Sequence, residues 1–237
     1  MKVKVIGTGS MWNEYNSASF LIDNDILIDM PNGMCKYLFK MNIDPRVINN
    51  VLLTHFHGDH YFDMPFYLLL KSRAMQNQVN IFCSFDGKKK INKLLKLAFP
   101  NSKKNVLESL NIHYNNEIDL KVNNYRVTKL LMQHGRMASC YGYLFEDNKK
   151  FIGFTGDTTM CDNINLLASK CDYIFCDCMF IKGNNKHMGL DMLEKVASSY
   201  PKCHFVVVHL ENITREEIKK RKYKNIIVPN DGDVFNI

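Results

Sequence analysis

At 237 residues, with 46% hydrophobic and 11% aromatic content, the chain is long enough to bury a core and reads as globular. Its longest apolar runs, such as 66–70 and 205–208, fall far short of the roughly 18 residues a membrane helix needs, and residues 1–7 lack a signal-peptide hydrophobic region, so a cytoplasmic protein with no membrane partner is expected. Thirty-one Lys and Arg against 24 Asp and Glu leave a net charge of +7, which suits an anionic substrate; the basic runs 88–90 and 219–222 read as solvated helix faces rather than a nucleic-acid surface.

Strand patterning appears at 2–6, 18–22, 26–29, 51–54, 79–83, 112–114, 121–132, 141–145, 151–154, 173–177, 205–208, 226–228 and 234–237. Helical periodicity appears at 34–41, 65–75, 88–98, 163–169, 189–199 and 214–223, the last with a capping box from Thr214 and Glu217. Strands and helices alternate twice over without a low-complexity linker. That pattern predicts one α/β domain, 1–237, with two sheets sandwiched between helix layers and a site along one sheet edge. Eight cysteines, dispersed through apolar segments, are expected as reduced thiols, with Cys176 and Cys178 in the core.

Directly after the apolar run 51–54 comes Thr54-His55-Phe56-His57-Gly58-Asp59-His60, in which three imidazoles and a carboxylate fall within six positions. His55 and His57, two apart on an extended backbone, project to the same side and can grip one ion. Gly58 permits a turn, after which Asp59 and His60 face the site from another direction and could hold a second ion. Asp63 and Pro65 are expected to open a helix whose stripe of Phe62, Phe66, Leu69 and Leu70 anchors the loop to the core. Two ions need more ligands, and three isolated candidates end predicted strands: His134, Asp157 and His209. Each alone reads as well as an ordinary strand-end group, but their joint occurrence points to a metal centre.

In these residues the chain resembles the metallo-beta-lactamase superfamily, whose signature is a His-x-His-x-Asp-His loop followed by a lone His, a lone Asp and a final His at strand ends. The resemblance implies the four-layered αββα sandwich and a hydrolase in which His55, His57 and His134 hold one divalent metal, Asp59, His60 and His209 hold the other, and Asp157 bridges them. Zinc is the usual metal, and manganese or iron suits the same donors. Beta-lactamases tend to carry a cysteine where this chain has Asp157, so the carboxylate points instead to thioesterases, lactonases and phosphodiesterases. Ile6-Gly7-Thr8-Gly9-Ser10 and His187 resemble the ribonuclease Z branch and its cyclic-nucleotide phosphodiesterase relatives. In that branch a further His before a helix helps protonate the leaving group, which implies this role for His187, although Met188-Gly189 follows it in place of Ser-Thr. Asp59 is also expected to orient or deprotonate the attacking water. His113 and His204 match no motif position and are read as structural.

Two ions about 4 Å apart acidify a shared water and neutralise charge on a phosphoryl group, which favours phosphodiester hydrolysis. Ribonuclease Z enzymes grip transfer RNA with a long arm inserted between the positions of His134 and Asp157, and only 22 residues separate them here. A small anionic or cyclic nucleotide phosphodiester is therefore the expected substrate. The alternatives are a transfer RNA 3′ endonuclease, a lactonase or thioesterase, and a non-catalytic nucleic-acid-binding module; the last fits least, since structural zinc sites are closed four-ligand cages. Relatives of this type are often homodimers, so a homodimer is expected.

Overall fold

Residues 205–208, Phe-Val-Val-Val, offer no polar group to either face, as a strand covered on both sides requires. In the fold Phe205 and Val207 enter one apolar layer, while Val206 and Val208 enter another. The computed structural model describes residues 1–148 and 150–237. In chain order the strands are β1 (Lys2–Gly7), β2 (Ser19–Ile22), β3 (Ile26–Ile28), β4 (Asn50–Leu52), β5 (Gln78–Phe82), β6 (Asn111–Asn115), β7 (Asp119–Val122), β8 (Tyr125–Leu131), β9 (Tyr141–Asp147), β10 (Lys150–Phe154), β11 (Tyr173–Asp177), β12 (His204–Val208), β13 (Ile226–Ile227) and β14 (Val234–Asn236). The helices are α1 (Met34–Lys40), α2 (Gly58–Tyr61), α3 (Met64–Lys71), α4 (Gly87–Ala98), α5 (Lys103–Ser109), α6 (Asp162–Lys170), α7 (Leu190–Ser199) and α8 (Asn212–Arg221).

One sheet runs β14-β1-β2-β3-β4-β5-β6 and the other β13-β12-β11-β10-β9-β8-β7. Strands β3 to β6 are parallel to one another, and so are β10 to β13. Between the sheets lies an aromatic layer in which the Phe20 ring is 5.1 Å from both Phe154 and Phe175. Leu27, Val51 and Ile81 turn the other way, against Met34, Leu38, Leu68 and Leu95 of α1, α3 and α4. On the far side Ile174, Cys176 and Phe205 meet Leu167, Leu193 and Ile218 of α6, α7 and α8. The result is the four-layered αββα sandwich. All eight cysteines are free, and Cys176 and Cys178 are core residues. Among the described residues no helix is long and apolar enough to cross a membrane.

Several elements differ from the sequence expectation. Residues 121–132, read as one strand, are the hairpin β7–β8, which turns at Asn123-Asn124 with Asn123 at φ 53°. Both arms alternate, and an Asn-Asn turn is a weaker break than one with glycine. Helix α5 carries no strong apolar period and was not anticipated. Helix α3 ends at Lys71 rather than 75 and buries Met64, Tyr67, Leu68 and even Lys71, whose Nζ donates to the Arg46 carbonyl and Asn49 Oδ1. Of the predicted stripe, Leu69 and Leu70 pack partly against the core, whereas Phe62 and Phe66 are about half exposed, at 49% and 50%. Apolar residues surround this helix on all sides, so their period could not choose a face. Asp63 and Pro65 do open α3, Asp63 at its N-cap position and Pro65 in its first turn, but the Asp63 carboxylate accepts from the Gly33 and Cys35 amides at the start of α1 rather than from its own helix. The capping box is also absent. Helix α8 starts at Asn212, and Thr214 lies inside its first turn, donating its hydroxyl to the Met179 carbonyl.

Candidate metal centre

Six chain segments, two from the first sheet and four from the second, meet at one end of the sandwich as they leave the carboxyl ends of β3, β4, β8, β10, β11 and β12, where open α/β sheets place their ligands. After β4 the chain delivers His55 and His57 and then enters α2 with Asp59 and His60. Gly58 begins that helix rather than making a left-handed turn. A Cβ there would lie 2.7 Å from the Phe62 ring, so glycine is what lets the ring close onto the ligand loop. Gly156, at φ 59°, does make the turn that releases Asp157 from β10. His209 leaves β12 with φ 58° and Asp29 leaves β3 with φ 62°, a conformation that is costly for residues with a Cβ and that clusters at functional sites.

The seven predicted ligand residues meet in two groups. The ligand atoms of His55, His57, His134 and Asp157 all lie within 4.8 Å of one another, and so do those of Asp59, His60 and His209. His57 Nδ1 is 3.0 Å from His55 Nε2 and 3.2 Å from His134 Nε2. Asp157 faces both groups: its Oδ1 is 3.3 Å from His60 Nε2, and its Oδ2 is 3.4 Å from His209 Nε2 and 3.7 Å from His55 Nε2. His187, placed beside the centre by the β11–α7 connection, forms a third group with Asp157 and His209 and stacks on the His209 ring at 5.1 Å.

A hydrogen-bond chain aims the imidazoles inward. Thr54 Oγ1 donates to Asp29 at 2.7 Å, which leaves its oxygen to accept from His55 Nδ1 at 3.0 Å. Asp29 also accepts from His60 Nδ1 at 2.7 Å, so one buried carboxylate orients a residue of each group. His134 Nδ1 donates to the Lys186 carbonyl. In each case the remaining Nε2 turns its lone pair to the centre, the arrangement that prepares a histidine for a cation. Asp29→Ala is expected to weaken divalent-metal affinity by about 10- to 100-fold, measured by competition with a chromogenic chelator.

Charge in the cluster is finely opposed. Burial, helped by the neighbouring His60, holds His55 well below the usual imidazole range, and burial together with His134 lowers His57. Burial works against the charge on His209, but Asp157 and Asp59 outweigh it and push the imidazole up to about 9; Asp157 and Asp29 likewise raise His60 against its burial. The Asp157 carboxyl is held well below its ordinary range by His209 and His60, which overcome its desolvation. Asp59 Oδ1, His60 Nε2 and both ring nitrogens of His209 are buried without a hydrogen-bond partner, so the nitrogen and oxygen donors fit divalent ions.

Two residues of the centre escaped the sequence reading. Asp29 and Asp177 are buried carboxylates that orient site imidazoles, Asp177 accepting from His187 Nδ1 at 2.8 Å and from the Thr158 and Met179 amides. Their only sequence signal is an Asp at the end of a predicted strand. His113 and His204 lie on β6 and β12, outside the three groups.

A profile of the family described as Anti-Pycsar protein Apyc1 matches residues 1–230. The chain belongs to that family. Among proteins similar to it, a ribonuclease Z of Methanococcus maripaludis is 28% identical over 165 residues, covering 63% of this chain; the chain spans 50% of that relative's length. Two solved structures share the fold over nearly their full lengths. The metallo-beta-lactamase fold protein YhfI of Bacillus subtilis superposes with a TM-score of 0.78 at 17% identity, covering 99% of each chain. A diphosphatase of the PhnP family superposes with a TM-score of 0.77 at 17% identity, covering 100% of this chain and 97% of that one. The family's fold is thus the metallo-beta-lactamase sandwich that the ligand loop implied.

Proposed function

We propose that this chain is a dinuclear metal-dependent phosphodiesterase acting on small or cyclic nucleotide phosphodiesters. The observation that carries this reading is the position of Asp157, one carboxylate facing both ligand groups. His55, His57 and His134 would hold one ion and Asp59, His60 and His209 the other, with Asp157 between them and zinc as the expected metal. Membership of a cyclic-nucleotide phosphodiesterase family supports the substrate class, and relatives named ribonuclease Z and diphosphatase support phosphorus-ester chemistry.

The chemistry divalent ions would supply there is acidification of a shared water and neutralisation of charge building on the phosphoryl group. Asp59, buried at the centre with one carboxylate oxygen unpartnered, is placed to orient the attacking water and take its proton. His187 is positioned by Asp177 through Nδ1, which leaves Nε2 to donate to the departing oxygen. The Asp177–His187 pair and the closeness of His187 to Asp157 support the general-acid role better than the residues that follow it in sequence.

His187→Ala is expected to lower kcat on cyclic nucleotides by about 10²- to 10⁴-fold, while barely changing turnover of bis(p-nitrophenyl) phosphate, whose leaving group needs no proton. Equal losses on both substrates would remove the acid role. The names of its relatives support precursor transfer RNA as a second reading, but β9 and β10 take up most of the segment between His134 and Asp157, where the RNA-gripping arm is expected. Turnover of a panel of cyclic and linear nucleotides, compared with cleavage of precursor transfer RNA, separates the two readings. Preference for RNA would overturn the first.

A further inference from the structure

A cavity of about 340 Å³ opens beside Asp59, between the loop that follows β1, the segment after β3 and the start of α2. Its volume lies in the range of small-ligand sites. Among the described residues Asp59 is the only charged side chain in its lining, which otherwise consists mainly of amides, hydroxyls, aromatic rings and thioethers, including Asn32, Tyr37 and Met11. A pocket with no cation is unsuited to a phosphate, and the centre next to it is suited to one. The neutral part of a phosphodiester therefore belongs in the cavity.

Phe62 decides what that part is. A Cβ on Gly58 would lie 2.7 to 3.0 Å from three atoms of the Phe62 ring, so one side of the ring rests on the ligand loop between His57 and Asp59. The ring is nevertheless 49% exposed and lines the cavity, one helical turn from a candidate metal ligand. The loop that forms the other wall is held firmly, since Asn13 Nδ2 donates to the carbonyl of Leu210, the residue after His209. Ring and loop are therefore fixed relative to the centre.

We propose that this cavity is a base subsite, in which the nucleobase of the substrate stacks on Phe62 while its phosphodiester lies at the centre; the inference rests on the phosphodiesterase reading above. Stacking uses the π-face that every base possesses, so purine and pyrimidine cyclic nucleotides should both be accepted.

Phe62→Ala should raise KM for cyclic nucleotides about tenfold or more with kcat nearly unchanged, and Phe62→Tyr should restore it. The same Ala variant, with its metal content confirmed equal to wild type, should lose far less in kcat/KM for glycerol 1,2-cyclic phosphate, which carries no base. Independently of turnover, calorimetric titration of the metal-loaded protein with a nucleoside 5′-monophosphate should show the same weakening. An equal loss on the base-free ester, or nucleotide binding unchanged by Phe62→Ala, overturns the subsite while leaving the phosphodiesterase reading intact. Phe62-dependent nucleotide binding by a wild-type protein that hydrolyses neither ester supports the subsite and rejects that reading.

Discussion

Asp157→Ala should eliminate phosphodiester hydrolysis, by about 10³-fold or more, and strip the protein of bound divalent metal at the same time. The carboxylate stands within 4.0 Å of nitrogen atoms on His55, His60, His134, His187 and His209, so its loss removes the one anionic group common to both ligand sets. Transition-state charge stabilisation by metal is worth several kcal/mol, and each 1.4 kcal/mol is a factor of ten. The fold should survive, because Asp157 follows β10 rather than forming part of it and the apolar layers do not include it. Elemental analysis of the purified variant beside a steady-state assay on a cyclic nucleotide reads both effects. A variant that keeps its metal and its activity would refute the bridging role.

Metal removal should lower the melting temperature by about 10 °C. A ligand that binds only the folded state at about 1,000 times its Kd adds about 4 kcal/mol, and a chain of this size shifts by about 2–4 °C for each kcal/mol. The physical cause is local. His55 Nε2 and His57 Nδ1 lie 3.0 Å apart, and four buried donor or acceptor atoms of Asp59, His60 and His209 have no protein partner, so a cation would satisfy groups that the protein alone does not. Differential scanning calorimetry with and without chelator measures the shift, and Asp157→Ala should respond little because it has no metal to lose. A wild-type melting temperature that chelator leaves unchanged would mean the centre is held by hydrogen bonds alone.

The layered fold was legible because each buried strand carries its own signature: residues 205–208 are apolar on both faces, and that pattern forces a layer on each side. The ligand loop was legible because its residues are contiguous. His134, Asp157 and His209 were legible only together, since an isolated polar residue at a strand end has many ordinary uses. Asp29 and Asp177 could not be told from such ordinary residues, because their role lies in hydrogen bonds to His60 and His187, which stand 31 and 10 positions away in the chain. The orientation of α3 was hidden for a different reason. Its surface is apolar all round, and only contact with α4 and the sheet decides which residues are covered. The cavity beside Asp59 draws on three separate segments and has no linear trace at all.

The central claim is that one carboxylate divides two cation sites, and anomalous diffraction from crystals grown with saturating zinc tests it most directly. Two peaks are predicted, one among His55, His57 and His134 and one among Asp59, His60 and His209, with Asp157 between them. A single peak, or peaks lying away from these side chains, would contradict the account.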